Sequence, residues 1–75
     1  MPKQLAIDCK GMKCPRPIIE IAKASRKLTP GSHLKVQADD LAFESDVKAW
    51  AENTNSTIID FNRNGNQVEV LIKLH

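Results

Sequence analysis

The chain has 75 residues, which suits one small domain near the lower size limit for a core that folds without disulfides or a structural metal. With two cysteines and no apolar run approaching the roughly 20 residues that cross a bilayer, the sequence argues against a disulfide-rich secreted scaffold and against a membrane-spanning protein. We therefore expect a single domain over residues 1–75, located in a reducing cytoplasm.

The net charge of +2 is unevenly distributed along the chain. Residues 1–37 carry eight Lys or Arg and two Asp or Glu, whereas residues 38–75 carry three and seven. A solvated surface of uneven charge is the simplest explanation, but a basic half also steers acidic partners or anionic substrates. Direct nucleic-acid binding is not expected, because the few aromatic residues are not interleaved with a basic run.

The first strand is predicted over residues 3–8, where Leu5 and Ile7 alternate with more polar positions. Residues 9–13 then form a loop, in which Gly11 is expected to supply a positive φ or a close backbone approach.

The first helix is predicted from Pro15 to about Leu28, and residues 29–32 end it. Its predicted inner face is made of the residues at helical spacing: Ile18, Ile21, Ala22, Ser25 and Leu28. A second strand follows, with three inward residues: Leu34, Val36 and Ala38. A strand, a helix and a strand in this length predict a right-handed βαβ unit with parallel strands.

The second helix is predicted over about residues 41–54. Asp39 and Asp40 offer N-cap oxygens for it, and Asp46 is a second candidate cap. One face of this helix carries its apolar residues together with a threonine: Phe43, Val47, Trp50, Ala51 and Thr54. Trp50 is most simply a core residue, and no function is assigned to it.

Two further strands are predicted over residues 57–62 and 67–74, joined by a hairpin turn that Asn64-Gly65 indicates. The element order is therefore βαβαββ. The economical packing is an α/β (α+β) two-layer sandwich, with two helices on one face of a four-stranded mixed sheet.

Cys14 stands directly before Pro15 at the start of the first helix. Proline suits the first helical position, and the residue before a proline favours the extended backbone of an N-cap. This places Pro15 at N1 and Cys14 at the N-cap. Free amides and the positive end of the helix dipole favour a thiolate at that position.

The neighbours of Cys14 point to the same chemistry. Pro15 and Pro17 remove two backbone donors from the first turn, which leaves the Arg16 amide as the nearest donor to the sulfur. Positive charge comes from three side chains, called here the basic rim: Lys10, Lys13 and Arg16. We therefore predict a partly exposed Cys14 of lowered pKa. A small buried apolar residue, the usual role of a free cysteine, is the competing interpretation.

Four other polar or thiol positions are candidates for a role near the site: Asp8, Cys9, His33 and His75. Asp8 is expected to orient the loop by accepting backbone N–H bonds rather than to act in catalysis. Cys9 is expected to be a small apolar residue at a strand end, with a resolving thiol for Cys14 as the sharper alternative. His33 and His75 are far apart, and no Cys/His spacing indicates a metal site; no cofactor is expected.

The pattern Asp8-x-x-Gly11-x-x-Cys14-Pro15-x-Pro17 resembles the signature of the TusA/SirA-like sulfur-carrier family. The resemblance extends over nearly the whole chain and implies a two-layer α/β sandwich. It also implies that Cys14 receives a sulfane sulfur as a persulfide and hands it to a partner protein. Asn55-Ser56 stands where Gly-His is common in the family, and since Asn tolerates left-handed backbone, the helix stop is expected to survive.

The resemblance implies a sulfurtransferase that acts as a carrier between protein partners. The donor would be a desulfurase, a rhodanese-type or a thiosulfate-handling protein, and the acceptor a second protein; docking to a membrane transporter is left open, and a monomer is expected. Two alternatives remain: a dithiol redox switch that uses Cys9 and Cys14, and a non-catalytic interaction module.

Overall fold

The computed structural model describes residues 4–13 and 16–75. Six elements follow one another in the predicted order βαβαββ: β1 (Gln4–Asp8), α1 (Arg16–Ser25), β2 (His33–Ala38), α2 (Phe43–Asn53), β3 (Thr57–Asn64) and β4 (Gln67–Lys73).

The four strands form one mixed sheet in the order β1-β2-β4-β3. β1 and β2 pair in parallel, which confirms the predicted βαβ unit, and β4 is antiparallel to both β2 and β3. The chain therefore leaves β1 and β2 at the same edge of the sheet. The loops that follow these two strands can meet there.

Both helices pack against one face of the sheet, which confirms the predicted two-layer architecture. Ile21 of α1 and Phe43 of α2 are fully buried in one apolar cluster. The sheet contributes its inward residues to the same cluster: Leu34, Val36, Ala38, Val68, Val70 and Ile72. Hydrophobic burial thus joins every layer of the domain around a single core.

The buried face of α1 differs from the predicted one. Pro17, Ile21 and Ala24 are its buried residues, whereas Ile18 and Ala22 are only half-buried. The ring of Pro17 packs into the core at the start of the helix. The buried face therefore runs through Pro17, Ile21 and Ala24, and is rotated relative to the predicted face through Ile18 and Ala22.

The first helix also ends earlier than predicted, at Ser25 instead of Leu28. The amides of Lys27 and Leu28 donate to the carbonyls three residues before them, at 3.0 and 3.3 Å. This tighter turn ends the regular α-helix.

The prediction that Asp39 or Asp40 caps α2 is wrong. The helix begins at Phe43, and its N-cap is Ala42, which has helical backbone and makes no side-chain capping hydrogen bond. Asp46, the second candidate cap, lies inside the first turn of the helix. The side chain of Asp39 instead accepts a hydrogen bond from the backbone amide of Gly11.

The expectation that Trp50 is a core residue holds only in part. Its side chain is half-buried and packs against the edge of the core, where it lines a surface cleft with Leu28 and Leu74. Thr54, predicted on the same inner face, is exposed, and its hydroxyl donates to the Trp50 carbonyl at 2.8 Å.

The end of α2 confirms the prediction for Asn55. This residue has a φ of 58°, in the left-handed region. Its amide donates to the Glu52 carbonyl at 3.3 Å, and the Ser56 amide donates to the Ala51 carbonyl at 2.8 Å. These are the two hydrogen bonds of a Schellman motif, and they satisfy carbonyls that the helix end would otherwise leave free.

We expect Asn55→Ala to lower the free energy of unfolding by about 1 kcal/mol, because alanine pays the full steric cost of left-handed backbone. Asn55→Gly, the matched control, should leave stability unchanged or raise it, since glycine has no Cβ to clash. Urea melts of the three proteins provide the measurement. Equal stability of the alanine and glycine variants would mean that backbone strain at this position is negligible.

The hairpin between β3 and β4 is present, but its turn is displaced by one residue from the predicted Asn64-Gly65. Asn64 belongs to β3 and pairs with Gln67, so Gly65 and Asn66 are the two central residues. Gly65 has a φ of 63°. Glycine at the first central position is the arrangement of a type II′ turn, whose twist suits a two-residue hairpin.

Candidate functional site

The loop after β1 carries most of the predicted site residues that the structure describes. Its backbone turns back on itself, since the Met12 amide donates to the Cys9 carbonyl at 3.1 Å. Gly11 has a φ of 85°, which confirms the positive φ predicted for it. Among the described residues, no heavy atom outside its chain neighbours would lie within 4 Å of an added Cβ, so the backbone conformation is what favours glycine at this position.

Two carboxylates hold successive amides of this loop. Asp8 Oδ1 accepts a hydrogen bond from the Lys10 amide at 3.0 Å, which is the backbone contact expected of Asp8. Asp39 Oδ1 accepts a hydrogen bond from the Gly11 amide at 2.9 Å, across 28 positions of the sequence. Asp39 therefore connects the loop after β2 to the loop after β1.

Parallel pairing of β1 and β2 brings these two loops together. The pairing places Asp8 opposite Gln37, and the Cys9 amide continues the ladder by donating to the Gln37 carbonyl at 2.7 Å. Asp39 is the first residue after β2. The predicted parallel pairing already indicated this contact, because an acidic residue directly after a strand parallel to β1 must lie at the same sheet edge as Asp8.

Cys9 is a core residue, as the simpler prediction held. Its side chain is 1% exposed and belongs to the apolar cluster, and its thiol is free. Burial raises the pKa of the Cys9 thiol, and the nearby carboxylates of Glu20 and Asp8 raise it further. The thiol is therefore neutral and shielded at neutral pH, which disfavours a role as a resolving nucleophile.

The three residues of the basic rim are exposed. The ammonium group of Lys10 lies 3.9 Å from Asp8 Oδ2, so its charge is partly offset. Among the described residues, neither Lys13 nor Arg16 has an ion-pair partner. Within the basic rim, these two side chains therefore carry the positive charge that is not offset by a described ion pair.

The Arg16 amide, predicted to be the donor nearest to the Cys14 sulfur, donates a hydrogen bond to the Lys13 carbonyl at 2.8 Å. Its distance from the sulfur stays a prediction, because Cys14 lies outside the described residues.

Pro17 is fully buried and fixes the start of α1 in the core. Cys14 and Pro15 lie outside the described residues, so their predicted N-cap and N1 positions stay predictions. The described residues on either side, Lys13 and Arg16, are both exposed.

Neither α1 nor α2, the helices of the described part of the chain, has the length and apolar character needed to cross a bilayer.

Comparison with known proteins identifies the class to which this fold and loop belong. The chain is a member of the TusA sulfurtransferase family: the family model described as "Sulfurtransferase TusA" matches residues 5–74. This confirms the resemblance that the Cys14 motif carries.

Curated relatives agree with this membership. "Putative sulfur carrier protein YrkI" of Bacillus subtilis is 32% identical over 60 residues, which cover 80% of each chain. "Putative sulfur carrier protein YrkF" of the same organism is 35% identical over 54 residues, 72% of this chain and 29% of the relative. A "Putative sulfur carrier protein" of Aquifex aeolicus is 28% identical over 67 residues, 89% of this chain and 34% of the relative. The chain thus spans about a third of the length of the last two relatives.

Proposed function

We propose that this protein is a sulfur carrier in which Cys14 accepts a sulfane sulfur as a persulfide and relays it to a partner protein. The observation that carries the proposal is the Cys14-Pro15-x-Pro17 motif, which falls within the residues matched by the sulfurtransferase family model. The carboxylates of Asp8 and Asp39, which hold the loop leading to Cys14, lend it further support.

The chemistry needs one thiol and no net oxidation. The Cys14 thiolate attacks the outer sulfur of a donor persulfide, a bond forms between the two sulfurs, and the donor's S–S bond breaks. The donor thiolate leaves with the electron pair, and Cys14 holds the persulfide. With thiosulfate as the donor, sulfite is the leaving group. In the second half-reaction an acceptor thiolate attacks the outer sulfur, and Cys14 leaves as a thiolate.

The dithiol redox switch is the weaker alternative. It requires the Cys9 sulfur to reach Cys14, yet the Cys9 side chain is 1% exposed within the core. Formation of a disulfide would have to withdraw it from its apolar contacts. A non-catalytic interaction module would keep its activity when Cys14 is replaced, which separates it from the carrier.

The carrier acts between a protein donor, of desulfurase, rhodanese or thiosulfate-handling type, and a protein acceptor. We place it in the cytoplasm as a monomer, because a persulfide relay needs a reducing compartment and an accessible thiol. No cofactor or direct contact with nucleic acid enters the proposed reaction.

The proposal is tested by sulfur loading. Incubation with thiosulfate or a polysulfide should add one sulfur atom to the wild type, removable by reductant, and none to Cys14→Ser. Intact-protein mass spectrometry reads the result. An unloaded wild type, tested with a donor protein as well, would overturn the proposal.

The basic rim gives a separate prediction about partners. Lys13→Glu/Arg16→Glu should slow sulfur transfer from a donor protein about tenfold at low salt, because it reverses the charge that steers an acidic partner. The loss should shrink as salt is added, since charges are screened over about 10 Å at 0.1 M ionic strength. Stopped-flow transfer rates against salt concentration provide the measurement.

The matched control for this double variant is Arg26→Glu/Lys27→Glu. These two exposed cations follow the opposite end of α1, and their reversal changes the net charge by the same amount. Equal salt-dependent losses in both double variants would mean that net charge alone matters and that the rim is an ordinary solvated surface.

A further inference from the structure

We infer that Asp39 is a positioning residue for the sulfur-carrying loop: its carboxylate holds the Gly11 amide and thereby fixes the path of the chain into Cys14. The inference rests on the proposed function and assigns to the loop after β2 a part in the chemistry of the loop after β1. Asp39 acts through Gly11 and is not itself a catalytic residue.

The contact is the long-range anchor of the loop. The other hydrogen bonds of the loop amides are local, from Lys10 to Asp8 and from Met12 to Cys9. The Gly11 amide donates a hydrogen bond to Asp39 at 2.9 Å. Among the described residues, no other hydrogen bond joins residues 10–13 to a distant part of the chain. Its loss would leave the loop held by its local hydrogen bonds and by the packing of Met12 against the core.

The hydrogen bond from Gly11 to Asp39 matters for Cys14 because of where Gly11 lies in the loop. Gly11 has a φ of 85°, and glycine, without a Cβ, has the widest range of backbone conformations of any residue. Cys14 follows three residues later, and three residues reach up to about 10 Å. A modest rotation at Gly11 therefore displaces the sulfur by several ångströms. A displacement of about 1 Å at a reacting atom is enough to slow a transfer strongly.

The charge of Asp39 argues for positioning over electrostatic assistance. A negative charge opposes formation of a thiolate in its neighbourhood, so the charge of Asp39 offers Cys14 no electrostatic help. The benefit of this side chain must then come from the hydrogen bond that it accepts. Asparagine retains the acceptor oxygen without the charge, whereas alanine retains neither, so the two substitutions separate the hydrogen bond from the charge.

The experiment compares Asp39→Ala and Asp39→Asn with the matched control Asp60→Ala. Asp60 is also an exposed carboxylate that accepts a backbone amide, that of Phe61 at 3.0 Å, but it lies on β3. Three quantities are measured: hydrogen exchange of the Gly11 amide, the pH profile of Cys14 alkylation in a Cys9→Ala background, and the rate of sulfur transfer. Denaturant melts confirm that each variant is folded.

In Asp39→Ala, the amide hydrogen of Gly11 should exchange with solvent about tenfold faster than in the wild type, because one hydrogen bond is lost. It should also slow sulfur transfer at least tenfold and move the midpoint of Cys14 alkylation to a higher pH than in Asp39→Asn. Asp39→Asn should keep the protection of Gly11 and transfer within about threefold of the wild type. Asp60→Ala should match the wild type in all three measurements.

Identical Gly11 exchange in Asp39→Ala and the wild type would overturn the inference, as would identical transfer rates and alkylation midpoints in the alanine and asparagine variants. Failure of the proposed function is distinguished by the wild type itself. A wild type that takes up no sulfur refutes the carrier, while amide exchange and alkylation still decide whether Asp39 positions the loop.

Discussion

Cys14→Ser is expected to abolish sulfur uptake completely, whereas Cys9→Ala should load one sulfur atom like the wild type. A serine hydroxyl is not ionised at neutral pH and cannot hold a persulfide sulfur in a reducible S–S bond. Alanine is the better control at position 9, because Cys9 is 1% exposed and a serine hydroxyl there would be buried among apolar groups.

The reactivity of the two thiols should differ in the same direction. We expect Cys14 to titrate below the roughly 8.5 of an ordinary cysteine, as a cysteine at a helix N-terminus does. Burial and two carboxylates raise the pKa of Cys9. Since alkylation follows the thiolate fraction, the rate at Cys14 should approach its plateau at a lower pH than the rate at Cys9. At neutral pH the label should therefore appear on Cys14.

Peptide mapping after alkylation and after sulfur loading locates the modified residue. Added sulfur on Cys9, or sulfur that persists in Cys14→Ser, would contradict the carrier. A disulfide between the two cysteines that forms reversibly under mild oxidants, with no sulfur uptake, would favour the redox switch instead.

Phe43→Ala is expected to have the largest effect on stability, a loss of about 3–5 kcal/mol in the free energy of unfolding. Phe43 is 1% exposed and packs in the apolar cluster between the helices and the sheet. Removing its ring leaves a cavity between α2 and the sheet that rigid β-strands cannot fill. Such a loss is a large share of the free energy of unfolding of a small domain, which is typically about 5–15 kcal/mol.

Trp50→Ala is the informative comparison, because tryptophan is the larger residue but lies half-buried at the edge of the core. We expect it to cost about 1–3 kcal/mol, less than the sequence alone would indicate for a core tryptophan. Denaturant melts followed by circular dichroism suit both variants, since fluorescence is lost with Trp50. A greater loss for Trp50→Ala than for Phe43→Ala would mean that the edge of the core contributes more than its centre.

Local regularities in the sequence determined the element order and several backbone conformations. The alternation in β4 and the helical spacing in α2 depend on side-chain period alone, and both elements are present. Gly11 and Asn55 adopt the left-handed backbone predicted for them, because that preference belongs to the residue itself. The family resemblance was likewise contained in the spacing of the residues around Cys14.

Only the tertiary structure decided which side chains meet. Periodicity does not reveal that β4 lies between β2 and β3, since strand order depends on pairing across the whole chain. The inward packing of Pro17 rotated the buried face of α1. Asp39 appeared suited to cap the next helix, yet parallel pairing of β1 and β2 brings it to Gly11 instead. A hydrogen bond across 28 positions follows from the path of two strands, which no local propensity encodes.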